Sequence, residues 1–330
     1  MPVVARAIEG CALLALSVPF LPACAQATAP ASATQQALSP PSFAIPMEIV
    51  YGKPYINVMV NGHGPYRFMV DTGTGGEAIV SLELADELKL PKVDKTRLSD
   101  PSKEGMHYTD VVMIDTLNIG GAEFDEVLAA RHRTYGADID CQGILGFPLF
   151  ENYLLTLDYP NRRMVLSSGA LVPDGESLVL PFRMPDGVPI APLRIGNLLV
   201  EAQFDSGGTG LSLPQHLVPQ LRFLADPMPF GLAESLSSRF EIKLARLASD
   251  VRLGQFTFDK PFVEVNSAFP LVNFGAYPME NFSITFDQYN QLLRLDAGEK
   301  IMHLAPTPTL PHMLNAPTDK PADHALFPIG

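Results

Sequence analysis

Phe68-Met69-Val70-Asp71-Thr72-Gly73-Thr74 is answered 134 residues later (205 − 71) by Ala202-Gln203-Phe204-Asp205-Ser206-Gly207-Gly208. Each copy places Asp-(Thr/Ser)-Gly after a short apolar run. Each is followed by glycines and a small apolar patch, Ala78-Ile79-Val80 in one case and Leu211-Ser212-Leu213 in the other. A carboxylate-bearing turn written twice implies two similar lobes that bring their acids together. Two carboxyl groups in one site cannot both ionise easily, so one proton is held between them. Such a pair can activate a water by general acid–base chemistry.

The repeat extends beyond the turns. Gly146-Phe147-Pro148-Leu149-Phe150-Glu151-Asn152-Tyr153 leads into Leu154-Leu155-Thr156-Leu157-Asp158. Its counterpart Gly275-Ala276-Tyr277-Pro278-Met279-Glu280-Asn281-Phe282 leads into Ser283-Ile284-Thr285-Phe286-Asp287, 129 residues on (275 − 146). The near-equal offsets imply duplication, with a lobe boundary near 168–175. The organisation expected is a signal peptide over 1–27, a flexible linker over 28–44, lobes over 45–170 and 171–300, and a Pro-rich tail over 301–330. Short apolar runs between Gly, Pro, Asn and Asp predict strands at 54–60, 66–70, 111–119, 154–158 and 164–166. Asn61-Gly62 and Gly196-Asn197 read as hairpin turns. Helices are few: one capped by Ser81 and running to Leu90, one after Ser212 with Pro214 near its first position, and a short one after Gly146 and after Gly275. The fold class expected is all-β.

The chain has 330 residues, 47% hydrophobic and 18% charged, with net charge −13. This fits a globular core and argues against nucleic acid or an anionic membrane surface as partner. Cys11 to Phe20 is apolar but too short to span a bilayer, and Ala25-Gln26-Ala27 offers a cleavage site. Export to the periplasm or medium is therefore expected. Leu21-Pro22-Ala23-Cys24 is a rival, a lipoprotein box that would anchor the chain through Cys24. Only Cys141 lies in the body, so no internal disulfide is possible there, and Cys141 reads as a small buried hydrophobe. The seven histidines show no metal-ligand spacing.

Over roughly residues 45 to 300, the chain resembles the pepsin/retropepsin-like aspartic proteases, in their bacterial exported single-chain form. In that family each lobe supplies one Asp-Thr/Ser-Gly turn, and a later hydrophobic-hydrophobic-Gly segment packs behind it. Ile144-Leu145-Gly146 and Asn273-Phe274-Gly275 stand in those places. The resemblance implies a bilobal acid-protease fold and an aspartic endopeptidase with Asp71 and Asp205 catalytic. Thr72, Gly73, Thr74, Ser206 and Gly207 hold and tune them. It implies no cofactor and no metal, a monomer, and an extended peptide or protein segment as substrate. A flap is expected from a first-lobe hairpin within 100–110, with Tyr108 as a candidate for its aromatic residue. Two positions depart from the pattern. Gly208 stands where a Ser or Thr is usual, and Asn273 where an apolar residue is usual.

Three other readings are open at this point. Asp205-Ser206-Gly207-Gly208 also resembles the nucleophile loop of trypsin-like serine proteases, with His63, His107 or His132 as the base. Gly73, Gly75 and Gly76 resemble the phosphate loop of the actin-like nucleotide-binding fold. A protease-shaped, inactive peptide-binding module would keep both Asp turns for their local hydrogen bonds.

Overall fold

Runs such as Tyr55-Ile56-Asn57-Val58-Met59-Val60 alternate their side chains between two faces and end at turn residues, so they pair as strands. The computed structural model describes residues 42–100, 102, 105–133, 140–174, 178–235, 238–306 and 326–328. The expected signal peptide with Cys24, and most of the linker and tail, lie outside the described residues.

The first half comprises β1 (Ser42–Pro46), β2 (Glu48–Val50), β3 (Lys53–Val60), β4 (His63–Asp71), β5 (Ala78–Val80), α1 (Leu82–Glu87), β6 (Lys92–Leu98), β7 (His107–Ile119), β8 (Ala122–Arg131), β9 (Gly143–Gly146), β10 (Leu154–Asp158) and β11 (Arg163–Ser167). The second comprises β12 (Val179–Pro181), β13 (Ile190–Ile195), β14 (Leu198–Phe204), β15 (Leu211–Pro214), β16 (Met228–Glu234), β17 (Arg239–Arg246), β18 (Val251–Leu253), β19 (Phe256–Phe258), β20 (Phe262–Asn266), β21 (Val272–Phe274), α2 (Ala276–Met279), β22 (Ser283–Asp287), β23 (Leu292–Asp296), β24 (Ile301–Met302) and β25 (Leu326–Pro328). The molecule is mainly β and bilobal.

An eight-stranded sheet runs β2-β3-β4-β9-β5-β8-β7-β6, and an eleven-stranded sheet runs β24-β19-β18-β13-β14-β21-β15-β20-β17-β16-β25. Their centres match. β4 is parallel to β9, β9 antiparallel to β5, and β5 parallel to β8. The run β14, β21, β15, β20 repeats this pattern. A six-stranded sheet, β1-β11-β10-β22-β23-β12, joins the lobes. At its middle Thr156 pairs with Thr285, its own counterpart in the repeat, and their hydroxyls lie 2.8 Å apart. The local two-fold relation passes between them.

Each lobe also reaches across to the other through a turn. Tyr51-Gly52-Lys53-Pro54 and Asp186-Gly187-Val188-Pro189 are 135 apart (186 − 51). In both, the first two residues have positive φ, 52° and 81° in one, 55° and 78° in the other. Gly suits the second place because it carries no Cβ penalty there. Gly52 abuts Ala276 and Tyr277 of the second lobe, while Gly187 abuts Gly75 and Pro148 of the first.

Ser81 caps α1 through its hydroxyl, which accepts from the Leu84 N–H at 3.0 Å. The helix stops at Glu87 rather than Leu90, because Lys89 adopts a φ of 51°. Pro214 precedes its helix instead of opening it, and that helix, Gln215–Gln220, is 3-10 in form. The helix after Gly146, Phe147–Phe150, is also 3-10, whereas its counterpart α2 is α. β1 begins at Ser42, inside the stretch read as linker, and pairs with β11.

Candidate active site

Strand β4 ends at Asp71 and β14 ends one residue before Asp205. Alternation turns Phe68 and Val70 into the main core and sends Met69 and Asp71 to the opposite face. Both acids are wholly buried. The Gly73 N–H donates to Asp71 Oδ1 at 2.8 Å and the Thr74 hydroxyl to Oδ2 at 2.8 Å. In the second lobe Asp205 Oδ1 accepts from the N–H groups of Gly207 (3.0 Å) and Gly208 (2.8 Å). The glycines are required by the partner lobe. A Cβ on Gly73 would stand 2.4 Å from Asp205 Oδ1, and one on Gly207 would stand 2.4 Å from Asp71 Cγ. The two turns are therefore nested, each backbone against the other's carboxyl.

Each carboxyl group lies against the other lobe's turn, Asp205 at Gly73 and Asp71 at Gly207, so the two are close enough to influence each other's charge. Burial first, and the charge of Asp205 second, push the Asp71 carboxyl up to about 7, against the pull of the Thr74 hydroxyl. One proton is thus retained by the pair near neutrality.

Thr72 and Ser206 tie the turns to each other. The Thr72 hydroxyl donates to the Phe204 carbonyl (2.7 Å) and accepts from the Ser206 N–H (3.0 Å). The Ser206 hydroxyl donates to the Val70 carbonyl (2.7 Å) and accepts from the Thr72 N–H (2.9 Å). All five residues expected to support the acids are therefore in contact with them or with their loops. The same bonds count against Ser206 as a nucleophile, since its proton is given to a backbone carbonyl rather than to a base. They give the nucleotide reading no support either. Gly73 is committed to Asp71, and the two α-helices among the described residues have six and four residues.

The two departures prove to be one feature. Asn273 on β21 donates its amide to Asp205 Oδ2 at 2.6 Å, the bond that Thr74 supplies to Asp71. Gly208 leaves room for it, because a Cβ there would meet Asp205 Oδ2 at 2.8 Å and Asn273 Nδ2 at 2.9 Å. The donor has moved from the turn to the strand behind it. Residue spacing alone does not display this, since the partners are 68 positions apart.

Two hairpins meet across the lobes. β6–β7 folds back so that Leu98 packs on the apolar face beside Met69 and Ile144. β16–β17 is its counterpart. Asp100, after β6, accepts from the hydroxyls of Ser235 and Ser238 at the turn of the second hairpin, the latter at 2.6 Å. Asp100 and Ser235 are 135 apart (235 − 100), so like positions in the two lobes touch. The expected flap region is thus one half of a pair. Tyr108 pairs with Arg97, on the face of the hairpin opposite to that of Leu98, and is 76% exposed. Lys53, the first residue of β3, is buried within electrostatic reach of Asp205, Asp71 and Glu264. Burial pulls its ammonium down to about 8. No motif marked it. Cys141 is half-buried, its thiol donating to the Gly143 carbonyl. Among the described residues no cluster of His, Cys, Asp and Glu could hold a metal.

Residues 56–149 match the family model for aspartyl protease. The matched segment runs from β3 to Leu149 in the 3-10 helix and contains Asp71 with its loop, so this part of the chain is similar to aspartyl proteases. No curated protein matches the chain.

Proposed function

We propose that the protein is an aspartic endopeptidase in which Asp71 and Asp205 together activate a water for attack on a peptide carbonyl. The nesting of two buried carboxyl groups, each against the other's turn, on turns braced by four reciprocal bonds, supports the reading. Asp205 receives three N–H donors and is the carboxylate. Asp71 retains the proton. The carboxylate takes a proton from the water while Asp71 donates to the carbonyl oxygen, giving a neutral tetrahedral diol. Collapse of that diol, with a proton passed to the amine, releases two peptides. The segment 1–27 directs export, so the substrate is an extended protein segment outside the cytoplasm.

The test is cleavage of an unfolded protein between pH 3 and 7. Activity should appear and Asp71→Asn should abolish it. Absence of cleavage by the wild type, with no binding of a statine-type peptide, overturns the proposal. Binding without cleavage would favour the inactive peptide-binding module.

A further inference from the structure

The face that carries the acids is chemically split between the lobes. Strand register identifies matching positions on it. Two residues before the acid stand Met69 in one lobe and Gln203 in the other. Two before the glycine behind it stand Ile144 and Asn273. Their neighbours across the next strand are Ile79 and Ser212, which pair with Ile144 and Asn273 respectively. One strand further, Ile79 pairs with Ala130 while Ser212 pairs with Glu264. All four places are apolar in the first lobe and polar in the second. The four first-lobe residues form one apolar cluster with Tyr55. The four second-lobe residues are each nine-tenths or more buried.

The crossing turns add a residue from each lobe at the junction. Val188, from the second lobe, packs at Gly75 of the first. Lys53, from the first lobe, is buried within electrostatic reach of Asp205, Asp71, Cys141 and Glu264. Lys53 is already set among the acids and Glu264, so a charged guest would find no uncommitted opposite charge beside Gln203 and Asn273. Such a guest would lose its hydration without compensation. A neutral amide or hydroxyl could instead exchange hydrogen bonds with the Gln203 amide, to which no described residue bonds, and with the Asn273 carbonyl, which is buried without a partner.

We infer that the site takes a peptide with an apolar side chain on one flank of the reacting bond and an uncharged polar one, of the Gln, Asn, Ser or Thr kind, on the other. This rests on the proposal that the acids act on a peptide. The two are separated by measuring both binding and cleavage. Four otherwise identical peptides carry Leu-Leu, Leu-Gln, Gln-Leu or Gln-Gln at the central pair. Each is made in a cleavable form and in a reduced-amide form that cannot be cut. One mixed order should bind at least about tenfold more tightly than Leu-Leu and than the reverse order. Gln203→Met, which installs the first-lobe residue, should reduce that preference roughly tenfold in favour of Leu-Leu. Ser212→Ile should do the same and serves if the first variant does not fold. Equal or tighter binding of Leu-Leu by the wild type overturns the inference, whether or not peptides are cut. A mixed-order preference without cleavage sustains it while overturning the endopeptidase proposal.

Discussion

At Asp71 the cost of the site can be read as a pH dependence. Its carboxyl is raised from 3.8 to about 7 by burial and by Asp205, so the folded state binds a proton that the unfolded chain has lost. Stability therefore falls as pH rises from about 4 to about 7. Asp71→Asn should remove that loss and raise stability at pH 8 by about 1–3 kcal/mol, while abolishing cleavage. Thermal unfolding of both proteins at pH 4 and pH 8 checks this, and a gain as large at pH 4 would contradict it. The pH–rate profile should be bell-shaped, its upper limb set by loss of the proton that Asp71 holds. A rate still climbing above pH 8 would contradict the dyad. The Gly208–Asn273 exchange makes a second residue-scale prediction. Asn273→Ile deprives Asp205 of a donor and should lower kcat roughly 10–100-fold with little change in KM. Gly208→Thr alone should also be harmful, because its Cβ meets both groups. Combined, they restore a donor on the turn and should recover more activity than either single variant.

Among the elements, the two hairpins decide access. Each bends over its own lobe, and the described contact between them is polar: Asp100 with Ser235 and Ser238, and Ser102 with Ser238. A contact of a few hydrogen bonds is worth only ~1–3 kcal/mol, so it can open on the timescale of peptide binding. Asp100→Ala should increase hydrogen exchange at the tips of β6–β7 and β16–β17 about tenfold, without changing exchange in β10 and β22. Uniform acceleration across the molecule would show that the bond supports the fold rather than the closure. Turn chemistry serves the same scale. The positive φ of Gly52 and Gly187 lets short turns reach the opposite lobe.

On the scale of the molecule, the lobes are held by the six-stranded sheet on one side and by Thr72 and Ser206 at the acids. Thr72→Val or Ser206→Ala should each cost about 1–3 kcal/mol, because a buried N–H and carbonyl are left without partners. The double variant should cost clearly less than the sum of the two, as both changes break one network. Additive losses in denaturant unfolding would show two independent bonds. By itself the sequence displayed the repeat, the two Asp-(Thr/Ser)-Gly turns and most strands. Those rest on local causes: alternation along a strand, glycine in a tight turn, a serine cap before a helix. Only the tertiary structure decided that Asn273 replaces the donor missing at Gly208, that Asp100 meets Ser235, that Lys53 is buried near the acids, and that Tyr108 is exposed. Each is a relation between residues that chain folding brings together from far apart. No local propensity encodes which buried donor will face which buried acceptor, because desolvation and packing act only once the lobes have closed.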